Sequence, residues 1–170
     1  MNILPNNFKR IIGVDPGTAR VGFGVVDFLA DRFTVVNYGY IKTGADLLLP
    51  ARMQLIYEEL KKIIVNFKPD RFAIEEIFFN KNTRTVMSVG QAYGVAILAA
   101  ARAGLLVFEY TPLQVKQAVV GYGRATKQQV SYMVKVILGL PELPAPDDVT
   151  DALAVAICDA FSSLGRELFR

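Results

Sequence analysis

Hydrophobic and polar positions change rhythm several times along the chain, and each change marks an element. Ile11 to Asp15 is a short apolar run ending in Asp-Pro-Gly-Thr, which predicts a strand entering a tight turn. Val21 to Phe28 and Phe33 to Thr43 are rich in β-branched and aromatic residues and are separated by a polar break at Asp31-Arg32. The opening therefore reads as an antiparallel meander of three strands. Ala51 to Phe67 carries Met53, Ile56, Leu60, Ile63 and Ile64 at helical spacing, and Pro69-Asp70 ends it. Phe72 to Ile77 reads as a strand, Asn82 to Ala103 as a long helix, and Leu105 to Tyr110 as another strand. Shorter helices follow over Pro112 to Val119 and Thr126 to Leu138, the second opened by Thr126 and Gln129 in capping-box register. Pro141, Pro144 and Pro146 impose a loop before a last helix from about Asp148 to Leu164. This order predicts an α/β fold: a mixed five-stranded sheet, three antiparallel strands then two parallel ones, with helices on both faces.

With 170 residues, 52% hydrophobic and 21% charged, the chain is expected to form one domain over 1–170 with its core at about 11–164. The first ten residues hold no apolar stretch of signal-peptide length, and the longest uncharged run, Thr85 to Ala101, is too short and too polar to cross a membrane. A single cysteine, Cys158, rules out an internal disulfide, so a cytoplasmic protein without membrane association is expected.

Charge is unevenly spread. Phe78 to Lys135 has seven basic residues against the one acid Glu109, whereas Val136 to Gly165 has five acids and no base. Two differently solvated faces would account for this, as would a polyanion partner beside a cation-binding centre. The chain has no histidine. That excludes Ser-His-Asp and Cys-His catalysis and histidine-ligated zinc, and restricts any metal to oxygen ligands, hence to hard cations.

Carboxylates stand at positions that seldom carry them. Asp15 closes the first strand, Glu75 and Glu76 interrupt an apolar one, and Asp148 and Asp151 share one face of the last helix's first turn. Singly, Asp15 suits a turn, and Asp148 and Asp151 suit a helix N-terminus. Glu75, between Ile74 and a following Ile77, meets a desolvation cost unless something positive faces it. Strand alternation sends Glu75 and Glu76 to opposite faces, and periodicity does not say which one joins Asp15. Converging carboxylates make chemical sense if divalent cations neutralise them, as in two-ion phosphodiester cleavage.

Six ordered blocks then resemble one family: Ile12-Gly13-Val14-Asp15-Pro16-Gly17-Thr18; Phe72-Ala73-Ile74-Glu75 with Phe78; Val89-Gly90-Gln91-Ala92-Tyr93-Gly94; Val115-Lys116-Gln117-Ala118-Val119-Val120-Gly121; Ala125-Thr126-Lys127-Gln128-Gln129-Val130; and Asp148-Val149-Thr150-Asp151-Ala152-Leu153-Ala154. Together they resemble the RuvC-type Holliday junction resolvases over about residues 11 to 160. The resemblance implies an RNase H-like fold and a homodimeric endonuclease that nicks two opposing strands of a four-way junction, leaving 5′-phosphate and 3′-hydroxyl ends. It places the family's catalytic, metal-holding acids on Asp15, Glu75, Asp148 and Asp151, choosing Glu75 over Glu76. It also implies Mg²⁺ as cofactor, with Mn²⁺ able to substitute, two ions per site, and partners of the RuvA and RuvB branch-migration type. Some relatives have histidine where Asp148 stands, Asp147 sits where a small or varied residue is common, and the chain ends soon after the last helix without the tail some relatives carry.

The same resemblance puts Phe78 on DNA bases near the junction centre and Lys116 and Lys127 near the scissile phosphate; by residue type alone they read as core and as surface lysines. Gly17 suits either close approach to a phosphate or the turn itself. The small faces formed by Gly90, Gly94, Ala92, Ala96 and Ala99 suit sheet packing on one side and a partner subunit on another. Three alternatives are weaker. Nucleotide-cradling kinases share the Asp-Gly-Thr type of turn but need two lobes. A YqgF-like ribosomal-RNA-processing nuclease shares Arg20-x-Gly22 but not the later blocks. A junction- or RNA-binding module without chemistry would have no need of four acids.

Overall fold

The structure is a computed structural model that describes residues 8–77 and 83–168. Three strands open it, β1 (Lys9–Asp15), β2 (Arg20–Leu29) and β3 (Arg32–Lys42), followed by α1 (Leu49–Phe67) and β4 (Arg71–Glu75). Next come α2 (Thr83–Arg102), β5 (Leu106–Tyr110), α3 (Pro112–Val120), α4 (Lys127–Leu138) and α5 (Asp147–Leu168). The sheet order is β3-β2-β1-β4-β5. The first three strands pair antiparallel, and β4 and β5 join beside β1 in parallel. The mixed five-stranded sheet expected from the hydrophobic rhythm is therefore present.

Helices cover both faces. On one side α3, α4 and α5 bury Ile11, Ala73, Tyr110, Val134, Leu153 and Ile157; on the other α1 and α2 bury Ile12, Val14, Ile56, Leu60, Phe72 and Ala96. Adjacent strand residues send side chains to opposite faces. Ile11, Gly13 and Asp15 of β1, and Arg71, Ala73 and Glu75 of β4, thus look toward α5.

Two strand glycines set how closely α5 lies on the sheet. A Cβ at Gly13 would sit 2.1 Å from the Ala152 carbonyl oxygen, and one at Gly22 would sit 1.9 Å from that of Asp148. Only a residue without a side chain permits this approach. The first turns of α5 are thereby pressed onto the ends of β1 and β2.

Some boundaries differ from those predicted. The fourth strand ends at Glu75, so Glu76 and Ile77 lie beyond it, although the Glu76 amide still donates to the Tyr110 carbonyl at 2.8 Å. The last helix begins one residue early, at Asp147. The capping box at Thr126 forms as expected, with the Gln129 amide donating to Thr126 Oγ1 at 3.2 Å and the Thr126 amide donating to Gln129 Oε1 at 2.8 Å. Cys158 is buried in the core. No helix among the described residues is long and apolar enough to cross a membrane.

Candidate active site

Asp15 ends β1 and Glu75 ends β4, one residue past the last paired position of these parallel neighbours, Val14 with Ile74. Adjacent strands run about 4.8 Å apart, so the two carboxyls rise side by side. The first turns of α5 bring Asp148 and Asp151 to the same end of the sheet, held there by the contacts at Gly22 and Gly13. α3 and α4 add Lys116 and Lys127. Glu75, Lys116, Lys127 and Asp151 line one cleft of about 150 Å³, with Pro112, Val115, Val130 and Ala154 as its apolar wall.

The electrostatics mark this as a strained gathering of like charges. Burial, then the charges of Glu75, Asp151 and Asp148, push the Asp15 carboxyl up to about 8, with Lys127 opposing them. Burial and the charge of Asp151 push Glu75 up to about 7, against Lys127 and Lys116. Burial also raises Asp151, opposed by its bond to Lys127. The two outer aspartates are held by cations of the chain itself. Lys127 Nζ lies 3.0 Å from Asp151 and 3.2 Å from the exposed Asp147, and Arg20 Nε lies 3.1 Å from Asp148. Burial works against the Lys127 charge, but its bonds to Asp151 and Asp147 prevail and its pKa is raised.

Placed this way, no three carboxylates or thiols among the described residues are close enough to enclose a metal ion. Two features nevertheless fit a divalent cation. The donors are all oxygens, the set a hard cation prefers. The inner pair, Asp15 and Glu75, carries pKa values raised by burial first and then by neighbouring carboxylates, Glu75, Asp151 and Asp148 on Asp15 and Asp151 on Glu75, which a nearby cation relieves. In addition, the Thr18 hydroxyl, in the turn after Asp15, is buried without a hydrogen-bond partner.

Of the residues singled out from the sequence, Asp15, Glu75, Asp148, Asp151, Lys116 and Lys127 come together at this end of the sheet, and Glu76 is exposed on the far side of Glu75. Phe78 lies outside the described residues. Gly17 serves the turn, since a Cβ there would meet the Arg20 carbonyl at 2.4 Å. Sequence reasoning missed Arg20 as the partner of Asp148. It also counted Asp159 only as part of an acidic patch, whereas Asp159 is fully buried and paired with Arg71. Glycine inside the first two strand patterns, at Gly13 and Gly22, was the available signal for the close seating of α5.

The family model described as "Crossover junction endodeoxyribonuclease RuvC" matches residues 11–159. A protein of that name from Pelotomaculum thermopropionicum is 63% identical over 150 residues, covering 88% of this chain and 92% of the relative. Another from Ruminiclostridium cellulolyticum is 57% identical over 148 residues, covering 87% and 89%. Among solved structures, Thermus thermophilus RuvC in complex with a Holliday junction substrate superposes with a TM-score of 0.87 at 35% identity, covering 92% of this chain and 96% of that one. The fold is accordingly the RNase H-like one that the motifs implied. A match of this extent and identity leaves no place for the RNA-processing or kinase alternatives: the chain belongs to the RuvC family of crossover junction endodeoxyribonucleases.

Proposed function

We propose that this protein resolves Holliday junctions in recombination and repair, nicking two opposing strands symmetrically to leave 5′-phosphate and 3′-hydroxyl ends. The observation that carries this reading is the cleft in which Glu75 and Asp151 face Lys116 and Lys127, with Asp15 electrostatically coupled to both acids. Carboxylates and ammonium groups at one cleft are what a phosphodiester needs: cations to hold the phosphate, acids to organise the attack.

Asp15, Glu75, Asp148 and Asp151 would hold the divalent ions, Mg²⁺ with Mn²⁺ as substitute and two per site. When bound, such ions activate water and neutralise the leaving oxygen. The chain's own contribution is positional. β1 and β4 fix the inner carboxyl pair rigidly, and α5 supplies the outer pair. Lys116 and Lys127 are the groups placed to bind the scissile phosphate, and Lys127 would exchange its bond to Asp151 for one to the phosphate in doing so. Contacts of this kind make binding fall with salt. Phe78 is assigned to base stacking from its motif position, a contact of roughly 1–3 kcal/mol per base.

The working form is a homodimer, because a four-way junction offers two equivalent strands. Small and apolar residues support a surface for it. Nothing lies within 4 Å of where Cβ atoms at Gly90 and Gly94 would be, whereas Ala92, Ala96 and Ala99 on the other side of α2 are buried. Leu49, Met53, Gly94, Val95 and Leu98 line an open groove between α1 and α2. Branch-migration proteins of the RuvA and RuvB type are the expected partners and the cytoplasm the expected compartment.

The test is cleavage of a synthetic four-way junction beside a linear duplex of the same sequence, with Mg²⁺ or with EDTA. Paired nicks in the junction alone, dependent on Mg²⁺, are expected. Cutting of both substrates, or full activity in EDTA, contradicts the proposal.

A further inference from the structure

We infer that Asp159 is a positioning residue: its paired hydrogen bonds with Arg71 set where α5 stops along β4, and so bring Asp151 to Glu75. This rests on the proposed nuclease reading for its activity readout, and on geometry for the rest.

Arg71 and Glu75 are the first and last residues of β4 and point to the same face, about 13 Å apart along the strand. Asp151 and Asp159 lie eight residues apart on α5, about 12 Å along one helix face. The two spacings match, so α5 runs back along β4 as a ladder with two rungs. At one rung Arg71 Nε and Nη2 donate to Asp159 Oδ2 and Oδ1 at 2.6 and 2.8 Å. At the other rung Asp151 meets Glu75, a like-charged pair that gives no attraction of its own. Of the two rungs only the first attracts, and it adds a directional tie along β4 to the close seating of α5 on β1 and β2 at Gly13 and Gly22.

That rung is built for precision. Asp159 is fully buried, so its carboxylate cannot exchange Arg71 for water. The guanidinium fork fixes two bonds at once, which sets direction as well as distance. The Tyr110 hydroxyl donates a third bond to Asp159 Oδ1 at 2.7 Å, and Tyr110 is the β5 residue paired with Glu75. The Arg71 guanidinium also stacks on the Phe108 ring at 3.7 Å. The network therefore grips β4, β5 and α5 together, one strand length from the cleft.

Breaking only one partner would leave a buried charge and unfold the site. The informative variant is the double replacement Arg71→Met with Asp159→Leu, which removes both charges and keeps apolar volume. It should fold and melt cooperatively yet slide at the cleft. Misplacement by about 1 Å can cost on the order of 100-fold in rate. Expected are a single-turnover junction cleavage rate at least tenfold below wild type, junction affinity within about threefold, and a higher Mn²⁺ concentration for the half-maximal gain in Tm. Arg71→Lys keeps the charge balance but loses the fork, and should show the same pattern to a smaller degree. A wild-type cleavage rate and a wild-type Mn²⁺ midpoint in either folded variant overturn the inference. If wild-type protein itself fails to cut junctions, the nuclease reading falls instead, and the Mn²⁺ midpoint still decides the register.

Discussion

Asp15 and Glu75 end neighbouring parallel strands at the same level, on the face that α5 covers; burial makes both carboxyls reluctant to ionise, and the charge of Glu75 adds to that reluctance at Asp15. Their relationship makes the cleft a place of stored repulsion, since the strands allow neither carboxyl to move away. Four consequences can be measured.

The first concerns stability against pH. Asp15 has an ordinary value of 3.8 and is pushed up to about 8 in the fold, chiefly by burial and then by Glu75. A raised acid stabilises the fold fully below its unfolded value and loses that contribution as pH rises through its folded value. Metal-free protein is therefore expected to melt progressively lower between about pH 4 and pH 8. Asp15→Asn removes much of that slope, and at about pH 8 should melt roughly 3 °C or more above wild type while failing to cut. Differential scanning calorimetry at several pH values checks this; parallel pH curves for the two proteins would contradict it.

Lys127 is next. It lowers the pKa of Asp15, Glu75 and Asp151 alike, so Lys127→Gln should push all three further up. The pH giving half-maximal cleavage is expected to move upward and the rate to fall at least tenfold. Its side chain is half exposed, so the loss in Tm should stay within about 3 °C. A pH–rate profile beside a melting curve separates these effects, and an unmoved profile would refute the role.

Gly22→Ala tests how α5 is seated. The added methyl group would meet the Asp148 backbone, which cannot swing aside as a side chain does. A loss of about 1–3 kcal/mol is expected, with cleavage reduced more than junction binding. Gly90→Ala, with open space around it, should leave Tm unchanged or higher. Equal melting of the two variants would mean that the close approach is unimportant.

Much of this was legible in the sequence. Strand runs, helical spacing and proline breaks gave the element order, and capping chemistry gave Thr126. The same chemistry at Thr111 and Gln114, where a second capping box opens α3, passed unnoticed because an apolar strand runs straight into it. Periodicity left Glu75 and Glu76 open, since alternation assigns faces but not which face holds the site; the motif and then the depth of the strand separated them. Asp159 was invisible as an anchor because its partner lies 88 residues away, and an acid on a helix reads as solvated until a fold buries it. Nor does a sequence show that Arg20 and Lys127 hold the outer aspartates.

The most direct measurement of the central claim follows the side-chain carboxyl carbons of Asp15 and Glu75 by NMR across pH, with and without Mg²⁺. Without the ion, Asp15 should titrate near pH 8 and Glu75 near pH 7, and Mg²⁺ should move both midpoints well down. If both carboxyls titrate at ordinary values of about 4, indifferent to Mg²⁺, the cleft is no cation site and the account is wrong.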